Sequence, residues 1–198
     1  MISIIDYGAG NLRSVQNTLA ELGATYKLID TPEAVRAADK LVLPGVGHFG
    51  QLMQSLDALK LRQPILEKIA AGNPFFGICL GMQALFSASA EAPDLEGLSI
   101  YPERIERFPT GARVPHMGWN SLNARPDSKL LKGLNEPIYV YFANSYYAPP
   151  IEATSATCDY QLPFSAVLER DNIYGVQFHP EKSGPTGLKI MSNFLELA

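Results

Sequence analysis

The segment Phe75-Phe76-Gly77-Ile78-Cys79-Leu80-Gly81 places a cysteine between an apolar run and an amphipathic stretch. The apolar run over residues 75–78 predicts a buried strand, and residues 80–87 predict a helix. The two glycines favour a tight turn between them, because a Cβ atom at either position would collide with neighbouring backbone. The pattern is the cysteine form of the nucleophile elbow G-x-S-x-G, which lifts a nucleophile clear of a sheet.

Such an elbow predicts a reactive thiol at Cys79. The start of the predicted helix would favour the thiolate through the helix dipole, and the backbone N–H of Leu80 would point to where an oxyanion develops. The alternative is a buried structural cysteine in a glycine-rich turn. The second cysteine, Cys158, has no catalytic residue type beside it and is predicted to be a small buried side chain.

Three histidines in the sequence could act as a base for this thiol. His179 follows the apolar run 173–178, at the carboxyl end of a predicted strand, which is where open α/β sheets place their sites. Glu181 lies two residues further on and can orient the imidazole, so Cys79, His179 and Glu181 are predicted to form a triad for acyl transfer through a thioester. The alternative for His179-Pro180-Glu181 is a turn with a solvated acid. His48 and His116 are weaker candidates, interpreted as structural or interface residues.

Predicted strands and helices alternate through the first half of the chain. The strands cover residues 2–5, 25–29, 41–43 and 75–78, and the helices cover 11–22, a stretch opened by Thr31-Pro32, a stretch from about His48, 64–71 and 80–87. This alternation predicts a parallel sheet covered by helices on both faces.

The second half of the chain is richer in Pro, Asn and Tyr. Its predicted elements are strands 103–108, 117–122 and 138–142, a hairpin of 164–169 and 173–178 that turns at Asp171-Asn172, and a helix from about Thr186. These strands predict an antiparallel or mixed layer added to the α/β core. Since no linker or repeat interrupts the chain, residues 1–198 are expected to form one domain.

Charge and hydropathy exclude several classes of function. The net charge of −4 disfavours nucleic-acid binding. No apolar run approaches the roughly 18–20 residues that span a bilayer, and Asp6 comes too early for a signal peptide. A cytoplasmic protein that binds neither nucleic acid nor membrane, and needs no metal or cofactor, is expected.

The motif Cys79-Leu80-Gly81-Met82-Gln83, with His179-Pro180-Glu181, resembles the class I (triad) glutamine amidotransferases. Three further segments resemble the glutaminase subunits of imidazole glycerol phosphate synthases: Asp6 to Leu12, Pro44-Gly45-Val46-Gly47, and Pro115 to Asn120. The resemblance covers essentially the whole chain. It implies a flavodoxin-like three-layer fold with a mostly parallel central sheet, glutamine as substrate, and a (βα)8-barrel cyclase partner in histidine biosynthesis that receives the ammonia.

The resemblance also implies residue roles. Val46 and Gly47 would supply the second oxyanion donor beside Leu80, after a peptide rotation that the flanking glycines make easy. Residues implied to contact glutamine are Gly45, Gln83, Ser145 and Tyr146. Residues implied to lie at the partner interface are Asn11, Trp119, Asn120 and Lys182, although without the resemblance Trp119 would be interpreted as a core aromatic residue. Asn144 departs from the family, since many members have a histidine there, and asparagine cannot act as an acid or base.

Other functions remain possible at this point. Gly8-Ala9-Gly10 after the first strand suggests a dinucleotide-binding loop, but Arg13 stands where the third glycine belongs. The remaining alternatives are a glutaminase subunit for pyridoxal phosphate or anthranilate synthesis, a non-enzymatic regulator, and a cysteine peptidase that uses the same triad.

Overall fold

A nine-stranded central sheet organises the computed structural model, which describes residues 1–9 and 11–197. Five of its strands are parallel: β1 (Ile2–Ile5), β2 (Tyr26–Ile29), β3 (Lys40–Gly45), β4 (Phe75–Cys79) and β12 (Ile173–Val176). They lie in the order β2-β1-β3-β4-β12, which is the strand order of flavodoxin-like folds. The predicted α/β fold with a parallel core is therefore confirmed.

Antiparallel strands extend this sheet beyond β12. They are β11 (Pro163–Arg170), β10 (Thr154–Asp159), β7 (His116–Ala124) and β8 (Ile138–Asn144), in that order. A separate three-stranded sheet contains β5 (Phe86–Ser89), β6 (Tyr101–Arg107) and β9 (Tyr146–Tyr147). The added mixed layer is thus present, with most of its strands joined edge to edge to the parallel core. The sequence prediction missed β5, β9 and β10.

Helices cover both faces of the parallel strands. They are α1 (Leu12–Glu21), α2 (Pro32–Arg36), α3 (Phe49–Ala58), α4 (Arg62–Ala70), α5 (Leu80–Gln83) and α6 (Gly184–Glu196). The apolar residues of α2, α3 and α4 pack in one core cluster, and those of α1 and α6 pack in the other. Among the described residues, none of these helices is long and apolar enough to cross a membrane.

The prediction of a helix over residues 80–87 is wrong for the residues after Gln83. Only Leu80–Gln83 is helical, and the chain then turns into β5 at Phe86. From Ala84 onward the chain pairs with a distant segment. The carbonyls of Ala84, Leu85 and Phe86 accept hydrogen bonds from Leu98, Ile100 and Ser99 respectively, and Phe86 pairs with Tyr101 of β6. Long-range pairing with the 97–101 segment therefore overrides the local helical pattern.

Other boundaries differ by a few residues. Strand β12 ends at Val176 instead of residue 178, β3 continues through Pro44 to Gly45, and α4 begins at Arg62, two residues before Pro64. The hairpin turn at Asp171-Asn172 is confirmed, because Arg170 pairs with Ile173 across it. Thr31 caps α2 as predicted, accepting a hydrogen bond from the Ala34 amide at 3.3 Å.

Candidate active site

Three neighbouring parallel strands carry the predicted site residues at their carboxyl ends. Strand β3 ends at Gly45, which pairs with Cys79 at the end of β4, and His179 follows β12 on the other side of β4. A cavity of about 300 Å³ opens at this edge of the sheet. Of the predicted site residues, its lining contains Val46, Gly47, Cys79, Leu80, Gln83, Ser145, Tyr146, His179 and Lys182.

The backbone of Cys79 is strained. Its φ of +53° and ψ of −109° lie in a region that residues with a side chain rarely occupy. The glycines around it permit this turn, because a Cβ on Gly81 would lie 1.8 Å from the Leu43 carbonyl oxygen and a Cβ on Gly77 would lie 2.6 Å from the Gly81 carbonyl oxygen. The nucleophile elbow therefore has the backbone geometry that its sequence predicts, with the thiol directed to the cavity.

His179 and Glu181 form a buried pair behind the thiol. The imidazole Nδ1 lies 2.9 Å from Glu181 Oε1, and only 3% and 2% of the two side chains are exposed. Burial on its own would lower the pKa of His179, but hydrogen bonds with Cys79 and Glu181, together with their negative charges, outweigh it and raise that pKa to about 10. The geometry thus favours the protonated imidazole beside the sulfur of Cys79, with Glu181 fixing the ring.

Backbone contacts hold His179 in place. Its amide donates to the Tyr141 carbonyl at 2.9 Å, and its carbonyl accepts from the Ser183 hydroxyl at 2.7 Å. Ser183 Oγ in turn accepts from the Tyr141 amide at 2.9 Å. The backbone that carries the imidazole is therefore held by Tyr141 of β8 as well as by Ser183, and the contact with β8 is one that local sequence does not reveal.

Two loops offer backbone donors near the thiol. Leu80 is the first residue of α5, and Val46 and Gly47 line the same cavity from the loop after β3. Gly47 has a φ of +98°, and a Cβ on Gly45 would lie 2.7 Å from the Gly81 amide nitrogen. However, α5 has only four residues, so the helix dipole that the sequence suggested for the thiolate is much reduced.

Two polar residues of the site were missed from the sequence. Gln177 is fully buried and its side-chain nitrogen lies 3.6 Å from Cys79 Sγ. Because Gln177 precedes His179 by two residues in extended chain, the alternation of side chains in a strand could have indicated it. Glu91 lines the cavity and accepts a hydrogen bond from the Phe49 amide at 2.7 Å; no local motif marks it.

Of the residues assigned to the partner interface, Lys182 alone is part of the cavity lining. Trp119 is 57% exposed, so its interpretation as a core aromatic residue is wrong, and Lys182 is exposed at the cavity rim. Asn120 donates to the Asp159 carbonyl at 3.1 Å. Asn11 lies at the start of α1 and accepts from the Ser14 hydroxyl at 2.9 Å. Gly10, part of the same N-terminal motif, lies outside the described residues.

The other two histidines have structural surroundings. His48 caps α3, accepting a hydrogen bond from the Gly50 amide at 3.1 Å. His116 is buried between the rings of Phe142 and Tyr160, with ring centroids 4.9 and 3.9 Å away. Asn144 lines the cavity and donates to the Tyr146 carbonyl at 3.0 Å. Among the described residues, no cluster of His, Cys, Asp and Glu could hold a metal ion.

A thiol on a strained elbow, an imidazole held by a buried carboxylate and nearby backbone donors make up a site for cysteine-dependent acyl transfer. On a flavodoxin-like sheet, this combination defines the class of triad amidohydrolases and amidotransferases. Comparison with known proteins narrows that class. The family model described as glutamine amidotransferase class-I matches residues 3–198.

Two relatives illustrate the similarity in sequence. The chain is 49% identical over 198 residues to the imidazole glycerol phosphate synthase subunit HisH of Methanothermobacter thermautotrophicus, covering 100% of this chain and 98% of the relative. It is 43% identical over 198 residues to the HisH subunit of Deinococcus radiodurans, covering 98% and 92%. The chain therefore belongs to the class-I glutamine amidotransferases and, within them, to the HisH family of imidazole glycerol phosphate synthase subunits.

Solved structures support the fold. A crystal structure of a glutamine amidotransferase superposes with a TM-score of 0.78 at 18% identity, covering 98% of this chain and 97% of the other. The structure of PurLQS from Thermotoga maritima superposes with a TM-score of 0.75 at 18% identity, covering 98% and 96%.

Proposed function

We propose that this chain hydrolyses glutamine to glutamate and ammonia through a thioester on Cys79, as the glutaminase subunit of an imidazole glycerol phosphate synthase. The observation that carries the proposal is the strained thiol at the end of β4 beside the buried His179–Glu181 pair. Membership of the HisH family supports glutamine as the substrate and a cyclase subunit as the recipient of ammonia.

The reaction follows from the positions of these groups. The Cys79 thiolate attacks the carboxamide carbon of glutamine and forms a C–S bond, while the carbonyl oxygen becomes an oxyanion. The imidazolium of His179 gives its proton to the amide nitrogen, the C–N bond breaks, and ammonia leaves a thioester behind. Water then attacks the thioester as His179 accepts its proton, the C–S bond breaks, and glutamate departs with the thiolate restored.

The oxyanion needs hydrogen-bond donors in both steps. The N–H of Leu80 is one, and a backbone N–H of the Val46–Gly47 loop is the other. Both loops line the cavity next to Cys79, and Gly45 lets the two loops approach, since a side chain there would collide with Gly81 and Leu80.

The remaining cavity residues are assigned to the substrate. Ser145 and Tyr146 line the same cavity as the loop after β3. Both N–H groups of the Gln83 amide are already donated, to the Tyr146 carbonyl and to Gln177 Oε1. Gln83 can therefore contact glutamine only through its side-chain oxygen, which would accept a hydrogen bond. The Glu91 carboxylate adds a negative charge that suits an α-ammonium group.

Ammonia has to leave toward a partner. A (βα)8-barrel cyclase is proposed to dock on the surface that carries Asn11, Trp119, Asn120 and Lys182. The large exposed area of Trp119, together with Met117 and Tyr139, provides the apolar surface that such a contact would cover. Nucleic acid is not expected as a partner at a net charge of −4. A cytoplasmic location suits the biosynthetic role, and the proposed thioester chemistry requires neither a metal nor a cofactor.

The decisive experiment measures glutamate release by this chain alone, and then with a cyclase subunit and its nucleotide substrate. Release by the pair should be abolished by Cys79→Ala, while synthesis from added ammonia survives because the cyclase does not need the thiol. Cys158→Ala is the matched control and should retain both activities, since Cys158 is fully buried away from the cavity.

Two outcomes would contradict the proposal. Loss of ammonia-dependent synthesis in Cys79→Ala would show that the two reactions are not divided between the subunits. Full glutaminase activity that no cyclase alters would leave the triad in place but point to another synthase partner.

A further inference from the structure

The sulfur of Cys79 has a buried polar neighbour that the triad does not include. Gln177 lies between the end of β12 and His179, is fully buried, and directs its side-chain Nε2 at Cys79 Sγ across 3.6 Å. That distance is ordinary for a hydrogen bond to sulfur. An amide N–H so placed interacts more strongly with a thiolate than with a thiol, because hydrogen bonds to a charged acceptor are the stronger ones.

The orientation of the Gln177 amide is fixed by its other neighbour. Gln177 Oε1 accepts a hydrogen bond from Gln83 Nε2 at 2.9 Å, and Gln83 Nε2 also donates to the Tyr146 carbonyl at 3.0 Å. Rotating the Gln177 amide by half a turn would set its NH₂ against the NH₂ of Gln83 and its oxygen against the sulfur. The chain of donors therefore runs from Gln83 through Gln177 to Cys79.

The Gln177 amide adds a second donor to the one that His179 supplies. Cys79 is only 7% exposed, and a buried anion is costly unless hydrogen bonds replace the water that it loses. The helix that follows it has a single turn, so its dipole supplies little of the stabilisation that longer helices give to cysteine thiolates.

We propose that Gln177 is a catalytic residue of this site: its side-chain amide donates a hydrogen bond to the Cys79 thiolate and holds the nucleophile toward the cavity. The same amide accepts a hydrogen bond from Gln83, which is assigned to glutamine binding. Occupation of the cavity by glutamine and positioning of the thiolate are therefore coupled. The proposal rests on the proposed function only in naming the reaction that the thiolate performs.

The test is the rate at which iodoacetamide alkylates Cys79 as a function of pH, in Gln177→Glu and Gln177→Met. Gln177→Glu keeps the volume and the oxygen that accepts from Gln83 but replaces the donor to sulfur with an acceptor. Gln177→Met removes both contacts. Both variants should shift the pH–rate profile to higher pH and slow alkylation at neutral pH by about tenfold, the effect of losing one charge-assisted hydrogen bond.

Controls separate this effect from a loss of packing. Asn193→Asp alters another buried amide, which donates to the Leu130 and Lys132 carbonyls away from the cavity; it should lower stability without moving the profile. Cys79→Ser should show no labelling, because burial raises the pKa of the Cys158 thiol to about 12. Should Gln177→Met fail to fold, Gln83→Leu is tested in its place. The Gln83→Leu variant frees the Gln177 amide to rotate, so the pH–rate profile of alkylation should again shift to higher pH.

Two results would overturn the inference. A profile that stays in place in Gln177→Glu but moves in Gln177→Met would show that Gln177 only fills space. A profile unchanged in every variant would show that the hydrogen bond does not act on the thiolate. Alkylation requires no glutamine, so an inactive wild-type protein would defeat the proposed function without deciding the role of Gln177, which the profile decides independently.

Discussion

At the level of single residues, the backbone at Cys79 explains why the elbow needs glycines on both sides. The cysteine itself takes the positive φ of +53°, while Gly77 and Gly81 supply the space into which the turn folds. A conformation of this kind costs on the order of 1–3 kcal/mol and persists only when the surrounding structure enforces it. Strain at the nucleophile is therefore a cost in stability that the rest of the sheet offsets.

Replacing Cys79 by glycine should release that strain. Cys79→Gly is expected to exceed Cys79→Ala in free energy of unfolding by about 1–2 kcal/mol, since relief of strain outweighs the roughly 0.5–1 kcal/mol that glycine costs through the unfolded chain. Urea denaturation of the two variants measures the difference. Cys158 is the matched control, because it pairs with Phe164 in strand β10 and its φ is not positive. The Cys158→Gly variant should therefore be less stable than Cys158→Ala. A Cys79→Gly variant that is less stable than Cys79→Ala by about 0.5–1 kcal/mol would show that the elbow is unstrained.

At the level of elements, strand β7 carries a histidine that burial keeps neutral. His116 is stacked on Phe142 of β8 and on Tyr160, and its Nδ1 has no hydrogen-bond partner among the described residues. Burial lowers the pKa of His116 to about 4. The folded protein therefore resists a protonation that the unfolded chain accepts near pH 6.5.

This difference in the pKa of His116 between the folded and unfolded states predicts that acid lowers the free energy of unfolding. Because the pKa of His116 is lower in the folded state, its contribution is fully present above about pH 6.5 and is lost as the pH falls toward 4. The loss amounts to about 2–3 kcal/mol. His116→Phe keeps an aromatic ring in the stack and should show a flatter decline of unfolding free energy between pH 6.5 and 4. A decline as steep as that of the wild type would assign the acid sensitivity to other groups.

At the level of the whole molecule, one sheet joins the two halves of the chain. Strand β12 pairs with β4 on one side and with β11 on the other, so the parallel core and the antiparallel strands share a continuous ladder. The two core clusters lie on opposite faces of it. Such continuity favours cooperative unfolding, which is also what a single domain over residues 1–198 predicts.

Two optical probes can test that cooperativity. The only tryptophan, Trp119, lies on β7 near the far edge of the sheet, while far-UV circular dichroism mainly reports the helices around the parallel strands. Denaturation followed by tryptophan fluorescence and by circular dichroism should give coincident transitions. Two separated midpoints would show that the antiparallel strands unfold as a unit of their own.

Local signals in the sequence determined the parts of this protein that depend on neighbouring residues. The Gly77–Gly81 elbow, the cap at Thr31 and the Asp171-Asn172 turn all follow from a few adjacent side chains, as does the 2.9 Å contact of His179 with Glu181 two residues away. Alternating apolar runs were sufficient for the parallel core, because buried strands and amphipathic helices have distinct periods.

Tertiary structure alone decided the rest, because those features depend on partners far along the chain. The helix after Cys79 stops at Gln83 because the chain from Ala84 onward pairs with residues 97–101, and Gln177 reaches the sulfur only because β12 lies beside β4. Trp119 is exposed because β7 pairs near the edge of the sheet, with its outer face uncovered. A local sequence pattern cannot predict hydrogen bonds between distant segments or the burial of side chains by them, and in this protein such contacts complete the site.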